Sequence, residues 1–141
     1  MSTLEKAISI AAQAHEGQRD KAGAPYILHP LRVMMKMATE AEQITAVLHD
    51  VVEDTDWTME RLRQEGFLGE ILAALDCLTR KNGEEYEKFI ERVKRNPLAV
   101  KVKIADLEDN LDVSRLKEVT DADAKRLEKY QQVLKMLSNL Y

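Results

Sequence analysis

The sequence predicts an all-α fold, a compact bundle of several helices around one core. Apolar residues recur every three or four positions along most of the chain, which is the spacing of one helix face. One segment alone alternates apolar and polar residues, and a lone strand would have no partner to pair with. With 141 residues and 45% hydrophobic content the chain can form one core, so we expect a single domain over residues 1–141.

The first two helices have recognisable start and stop signals. The first is predicted to begin with a capping box formed by Ser2 and Glu5 and to stop at Gly17. Glycine and two prolines mark the next segment as a loop, and Pro30 is expected to open the second helix. This assignment leaves His29 at the mouth of that helix.

The middle of the chain continues the helical pattern. A third helix is predicted as one continuous element over residues 40–55, followed by a short helix that Thr58 caps. Two more helices are predicted over residues 70–81 and 84–96. We therefore expect consecutive helices joined by short turns.

The C-terminal part contains the one ambiguous segment. Residues 98–111 fit both an alternating strand and a helical stripe, and we favour the helix because no second strand is available. A final helix is predicted to begin at Thr120, and it packs either on its own core or on a second copy of the chain. We favour the first arrangement, which predicts a monomer or a weak homodimer. The apolar residues of this helix are Leu127, Tyr130, Val133, Leu134, Leu137 and Tyr141.

Composition excludes several classes of function. The net charge is −4, and the chain has no basic block or arginine-and-aromatic stripe, so we expect no binding to nucleic acid. No run of about 18 apolar residues is present, and the N-terminus has no signal-peptide layout, so we expect no membrane span. The single cysteine, Cys77, offers no disulfide, which suits a soluble protein of the cytoplasm.

The segment AVLHDVVEDT, residues 46–55, concentrates ionisable groups among apolar residues. On a continuous helix, His49 would share a face with Glu53, and Asp50 with Asp54. Burying several acids beside a histidine is costly unless a cation neutralises them. A solvated polar face is the alternative, but the interleaved valines leave little room for one. The segment therefore favours a divalent metal site.

Two further segments supply matching ligands. His29 follows a rigid loop, and Asp106 stands one helical turn before Asn110 on a helix whose other face is apolar. Two histidines and two aspartates suit manganese, iron, zinc or a similar metal, with coordination positions left for water and a phosphate oxygen. Such a metal would generate a hydroxide nucleophile near neutral pH.

The order of His29, the adjacent pair His49 and Asp50, and then Asp106 resembles the HD superfamily of metal-dependent phosphohydrolases. The resemblance is closest to its alarmone branch, the hydrolase domain of the Rel/Spo proteins and the stand-alone small alarmone hydrolases. The stretches that carry it are AHEGQRDKAGAPYILHPLRV, AVLHDVVEDT and VKIADLEDNLD, which span most of the chain. The resemblance implies an HD-domain bundle with a metal site at its centre.

The same resemblance implies roles for individual residues. It implies that His29, His49, Asp50 and Asp106 bind the metal, with Mn²⁺ the usual ion. Glu53 and Asp54 match the acidic pair that positions and deprotonates the attacking water. The predicted substrate contacts are Arg19, Lys21, Tyr26 and Asn110.

The implied reaction removes the 3′-pyrophosphate of guanosine tetraphosphate or pentaphosphate, (p)ppGpp, and gives GDP or GTP and pyrophosphate. The small-molecule partner would accordingly be this nucleotide, and hydrolysis without alarmone synthesis is expected. An HD nucleotidase acting on another nucleotide is the alternative enzyme, and a non-catalytic metal- or nucleotide-binding regulatory module is the alternative outside catalysis. Two-metal HD phosphodiesterases need more than the three histidines this chain contains.

Two positions depart from the family pattern. Asp20 stands before the loop lysine, where longer alarmone hydrolases carry a basic residue. After Asp106 the chain has leucine, glutamate and Asp109, where the family carries arginine and histidine before the asparagine. These changes predict a site more acidic than a polyphosphate ligand prefers. The cations expected to compensate are Arg19, Lys21, Arg32, Lys81 and Lys103.

Overall fold

The computed structural model describes residues 2–140; Met1 and Tyr141 lie outside the described residues. Over that range the chain forms nine α-helices and no strand, apart from an isolated bridge between Arg19 and Pro25. The helices are α1 (Leu4–Ala14), α2 (Leu28–Met35), α3 (Glu40–Leu48), α4 (Val51–Asp54), α5 (Met59–Gln64), α6 (Gly69–Leu78), α7 (Tyr86–Lys94), α8 (Pro97–Leu111) and α9 (Asp121–Ser138). The predicted all-α fold is confirmed.

Helix α3 lies at the centre of the bundle. It contacts α1, α2, α6 and α8, and Ala46, Val47 and Leu48 in its last turn are buried. A helix surrounded on several sides must be apolar on most of its surface, which explains the long apolar run before His49. The C-terminal end of α3 consequently delivers the polar segment that follows it to the middle of the molecule.

The first helix begins one residue later than the capping-box prediction. Thr3 is the N-cap, and its side chain accepts a hydrogen bond from the amide of Lys6. Ser2 instead donates its hydroxyl to the carbonyl of Glu65 and its amide to that of Gly66. The predicted box of Ser2 and Glu5 was wrong because Ser2 is used in this contact with the turn after α5.

The second helix begins earlier than predicted, at Leu28. Pro30 lies within its first turn, where the missing N–H is tolerated because the first amides of a helix have no intrahelical partner. His29 is therefore part of α2 and is held on a helical backbone.

The predicted third helix is interrupted at His49 and Asp50, and the prediction of one continuous helix was wrong. The carbonyl of Ala46 accepts both the amide of His49, at 3.3 Å, and its ring Nδ1, at 2.6 Å. A side chain that occupies a helix carbonyl competes with the regular backbone ladder. Asp50 adopts φ −103° and ψ −1° and becomes the residue from which α4 starts.

The remaining elements follow the predictions with shifted ends. The ambiguous segment is helical and forms α8, with Asn96 as its N-cap. Thr58 and Thr120 cap α5 and α9 as predicted. Helix α9 packs against α8 and buries Val133 and Leu137 in the core of the same chain.

Within residues 2–140, we find no helix that combines the length and the apolar character needed to cross a bilayer.

Candidate functional site

The structure brings the four predicted metal ligands together. His29 comes from α2, His49 and Asp50 from the junction of α3 and α4, and Asp106 from α8, and one donor atom of each lies within 4.8 Å of the others. Nε2 of His29 is 2.8 Å from Oδ1 of Asp106, and Nε2 of His49 is 3.2 Å from the same oxygen. Nε2 of His49 is also 3.1 Å from Oδ2 of Asp50.

Both imidazoles point the same nitrogen into the cluster. Nδ1 of His49 donates to the carbonyl of Ala46 at 2.6 Å, and Nδ1 of His29 donates to Oδ2 of Asp109 at 2.6 Å. With Nδ1 engaged as a donor, Nε2 is the nitrogen left to bind a metal. Two such nitrogens and two carboxylates form a donor set that suits manganese, iron or zinc, so the residues present fit a divalent metal.

The charge of the cluster is balanced by groups around it. Burial alone would raise the pKa of Asp106, but Lys103, His49 and His29 hold that pKa well below its ordinary value. Nζ of Lys103 lies 2.9 Å from Oδ2 of Asp106, and the amide of Asn110 donates to Oδ1 at 3.3 Å. Asp106 is therefore fully ionised and carries polar partners on both oxygens.

Asp109 does not make the site acidic as predicted. Its buried carboxylate accepts from Nε of Arg32 at 2.7 Å and from Nη2 at 3.0 Å, in addition to the bond from His29. Arg32 is consequently occupied, and so is Lys103 through Asp106, so neither is the free cation that the sequence suggested. The spacing of three residues places Asp106 and Asp109 on one side of α8, where both contact the His29 ring.

The two predicted catalytic acids occupy different surroundings at the exposed end of α4. Oε1 of Glu53 accepts from the backbone amide of Arg80 at 2.7 Å, which ties the side chain to the α6–α7 loop. The carboxyl of Asp54 loses hydration and lies near the negative charge of Asp50 and Glu53, which raises its pKa to about 6. Burial raises the pKa of Glu53 as well, so both acids hold a proton more tightly than an exposed carboxylate does.

The four predicted substrate residues line one cavity of about 380 Å³. Tyr26 and Asn110 also touch the metal cluster, because they donate to Asp50 and Asp106. The cavity therefore opens directly beside the predicted metal ligands. Its predicted lining residues are Arg19, Lys21, Tyr26 and Asn110.

The lining also includes residues that the sequence did not predict as substrate contacts, among them Asp112, Arg115, Arg126 and Tyr130. They belong to α9 and to the segment before it, and periodicity alone does not show that this part of the chain folds over the loop after α1. Lys21 connects the two regions, since its Nζ lies 3.0 Å from Oδ1 of Asp123.

Asp20 has a local structural role in the cavity loop. Its Oδ1 accepts from the amides of Ala22 and Ala24, both at 2.9 Å. These bonds close a tight turn that presents the neighbouring Arg19 and Lys21 to the cavity. The acid at this position therefore shapes the loop.

His15 lies beneath the site. Its buried ring packs 5.0 Å from that of Tyr26, and its Nδ1 is 2.9 Å from Oε1 of Gln18. Gln18 in turn donates to the carbonyl of Asp54 at 3.1 Å. These contacts support the loop against α4.

The fold and the site together define a class of protein. It is an α-helical bundle domain with a central metal-binding cluster of two histidines and two aspartates, beside a cavity with several cations. The model of the HD domain family matches residues 7–81, and the chain belongs to this family.

Curated relatives include long proteins of guanosine nucleotide metabolism. The chain is 34% identical over 128 residues to a probable GTP pyrophosphokinase of Mycobacterium leprae, covering 82% of this chain and 16% of the relative. It is 33% identical over 121 residues to a guanosine-3′,5′-bis(diphosphate) 3′-pyrophosphohydrolase of Aquifex aeolicus. This match covers 77% of the chain and 17% of the relative. The chain thus spans about a sixth of the length of these relatives.

A solved structure shares the fold. It is described as a metazoan ortholog of SpoT that hydrolyses ppGpp, and it superposes with a TM-score of 0.80 at 23% identity. The match covers 97% of this chain and 85% of the other. The likeness extends well beyond residues 7–81 and includes the C-terminal helices.

Proposed function

We propose that the chain is a metal-dependent phosphohydrolase that removes the 3′-pyrophosphate of guanosine tetraphosphate or pentaphosphate. The observation that carries the proposal is the cluster of His29, His49, Asp50 and Asp106. Two residues that line the cavity, Tyr26 and Asn110, donate hydrogen bonds to Asp50 and Asp106 of this cluster. The names of the Aquifex relative and of the metazoan SpoT ortholog support this substrate.

The metal proposed is Mn²⁺, held by those four residues. A bound divalent ion would lower the pKa of water and offset charge on the phosphoryl oxygens. The buried donor set and its inward Nε2 atoms support this assignment.

The acids of α4 are proposed to handle the proton of the attacking water. Asp54, with its pKa raised to about 6, is suited to accept that proton near neutral pH. Glu53 is proposed to position the water, since its own carboxylate is anchored to the amide of Arg80. Water adds its oxygen to phosphorus, the bond from phosphorus to the ribose 3′ oxygen breaks, and that oxygen gains a proton as pyrophosphate leaves.

The cavity residues are proposed to bind the nucleotide. Arg19 and Lys21 supply positive charge for phosphates, Tyr26 an aromatic ring, and Asn110 a side-chain amide next to the cluster. We further propose that a single domain acts in the cytoplasm as a monomer or weak homodimer on this small molecule, without nucleic acid or membrane.

The test is pyrophosphate release from guanosine tetraphosphate by the manganese-loaded protein, with a panel of ordinary nucleotides in parallel. Asp50→Ala and Glu53→Ala serve as inactive variants, and melting curves and metal content are recorded for each. Release that disappears in both variants supports the proposal. Turnover of another nucleotide but not of guanosine tetraphosphate would indicate an HD nucleotidase acting on that other nucleotide. No turnover despite bound metal would favour a regulatory module.

A further inference from the structure

Asp109 makes contacts that the hydrolytic mechanism above does not use. The residue is buried, with 4% of its surface exposed, and both carboxylate oxygens accept hydrogen bonds. Oδ1 accepts from Nε of Arg32 at 2.7 Å, and Oδ2 accepts from Nη2 of Arg32 at 3.0 Å and from Nδ1 of His29 at 2.6 Å. A fork of this kind fixes the plane of the carboxylate as well as its position.

The orientation of His29 depends on this carboxylate. Because Nδ1 is tied to Asp109, the opposite nitrogen, Nε2, is directed at Asp106, 2.8 Å away, and at Asp50, 3.6 Å away. His49 obtains the same orientation from the neutral carbonyl of Ala46. A charged acceptor also increases the basicity of the imidazole that donates to it, so the two histidines are not equivalent as ligands.

Arg32 holds the Asp109 carboxylate in place. The guanidinium neutralises Asp109 and is placed on α2, one turn after His29, so the same helix carries the ligand and the clamp. The guanidinium contacts both oxygens of the Asp109 carboxylate, which fixes its orientation and offsets its negative charge.

From this geometry we infer that Asp109, clamped by Arg32, is a positioning residue that fixes His29 with Nε2 as its metal-binding nitrogen. The inference rests on the metal site of the proposed function, but it does not depend on which nucleotide is hydrolysed. It gives a function to an acid at which this chain departs from the pattern of the alarmone hydrolases.

The first measurement is the Mn²⁺ affinity of the full chain, obtained by titration calorimetry and by the electron paramagnetic resonance signal of free Mn²⁺. Asp109→Ala removes the acceptor and should raise the Kd by about 10- to 100-fold. Asp109→Asn keeps an oxygen acceptor without the charge, and should give a smaller increase. Asp76→Asn is the matched control, because Asp76 pairs with Lys81 on the surface, and it should bind Mn²⁺ like the wild type.

The second measurement separates positioning from a structural role. Arg32→Gln should weaken Mn²⁺ binding by a smaller factor than Asp109→Ala, and adding it to Asp109→Ala should change the Kd little further. At saturating Mn²⁺, kcat of the Asp109 variants should recover most of its wild-type value.

A folded Asp109→Ala or Asp109→Asn protein with the wild-type Kd would overturn the inference, whatever its melting temperature. If the wild-type protein binds Mn²⁺ but does not hydrolyse guanosine tetraphosphate, the proposed substrate is wrong. The comparison of Mn²⁺ Kd values still decides whether Asp109 positions His29. A wild-type protein that binds no divalent metal would overturn both.

Discussion

The hydroxyl of Tyr26 donates a hydrogen bond to Oδ2 of Asp50 over 2.5 Å, and this same oxygen faces Nε2 of His49 at 3.1 Å. The cavity and the metal cluster therefore meet at one carboxylate. Tyr26 was predicted from the sequence only as a substrate contact. The structure adds that its hydroxyl orients a predicted ligand.

Tyr26→Phe should raise the Mn²⁺ Kd and lower kcat/KM by about 10- to 100-fold, because a hydrogen bond to a charged group contributes roughly 1.5–3 kcal/mol. Calorimetry and steady-state kinetics measure the two effects. Tyr86→Phe is the matched control, since the buried Tyr86 hydroxyl has no hydrogen-bond partner among residues 2–140. Equal Mn²⁺ Kd and kcat/KM values for the two variants would show that the hydrogen bond from Tyr26 to Asp50 contributes to neither metal binding nor catalysis.

Asp54→Asn should reduce kcat more than Glu53→Gln does. General-base catalysis contributes about 10²- to 10⁴-fold, and the pKa of the Asp54 carboxyl, which has no backbone anchor like that of Glu53, is raised to about 6. Glu53 accepts a backbone amide at 2.7 Å, a bond that its glutamine variant retains in part. Both variants are assayed at saturating Mn²⁺ with unchanged metal content. A larger loss in the Glu53 variant would reverse the two assignments.

Mn²⁺ should stabilise the folded chain against heat. An ion that binds only the native state at 100 times its Kd adds about 2.7 kcal/mol to the free energy of unfolding, which raises Tm by several degrees in a domain of this size. Differential scanning calorimetry with Mn²⁺ and with EDTA measures the shift.

Asp106→Ala removes one of the four donors and should abolish most of that Mn²⁺-dependent shift. Asp76→Asn should leave the shift intact, because Asp76 lies on the surface in a pair with Lys81. A full shift in the Asp106 variant would mean that Mn²⁺ binds elsewhere.

Local patterns predicted the helices better than their junctions. Apolar spacing identified the helical segments, and threonine caps at Thr58 and Thr120 were read correctly. The break after α3 was not predicted, because it arises where the His49 ring takes the Ala46 carbonyl. Helix periodicity contains no information about such a side-chain bond.

The site shows the same limit. Sequence motifs grouped His29 with Asp106, and the structure places their side chains 2.8 Å apart. The partner of Asp109 stayed hidden because Arg32 lies 77 residues away, on a helix whose packing against α8 only the fold reveals. Charges that looked free in the sequence are paired in three dimensions.

Arg115→Gln should raise KM for guanosine tetraphosphate about tenfold with little change in kcat, as expected for loss of a phosphate contact made equally in the ground and transition states. Arg115 lines the cavity, where its Nη1 lies 3.2 Å from Asp112 and its Nη2 donates to the carbonyl of Asp109 at 3.3 Å. Steady-state kinetics at saturating Mn²⁺ measures the effect. Arg63→Gln, on the exposed face of α5, is the control. An unchanged KM would remove Arg115 from the binding site.

Because of Glu42, the free energy of unfolding should depend on pH in the acid range. Its carboxylate accepts the amides of Ala38 and Thr39 at 3.0 and 3.1 Å, and it lies 2.8 Å from Nζ of Lys101. Lys101 and these amides lower the pKa of Glu42 in the folded chain. Glu42→Ala should cost about 1 kcal/mol at neutral pH, as for loss of a helix cap.

The sign of the pH effect follows from that lowered pKa. The unfolded chain binds the proton at a higher pH than the folded chain, so the stabilisation is complete above the ordinary carboxyl pKa and is lost as pH falls through the folded value. Urea unfolding in EDTA from pH 7 to pH 3 gives the free energy of unfolding of wild type and of Glu42→Gln. The gap between these two free energies should decrease as the pH falls. Glu40→Gln, exposed on the same first turn, should show a much smaller gap throughout. A gap for Glu42→Gln that stays constant with pH would mean that the carboxylate charge does not stabilise the start of α3.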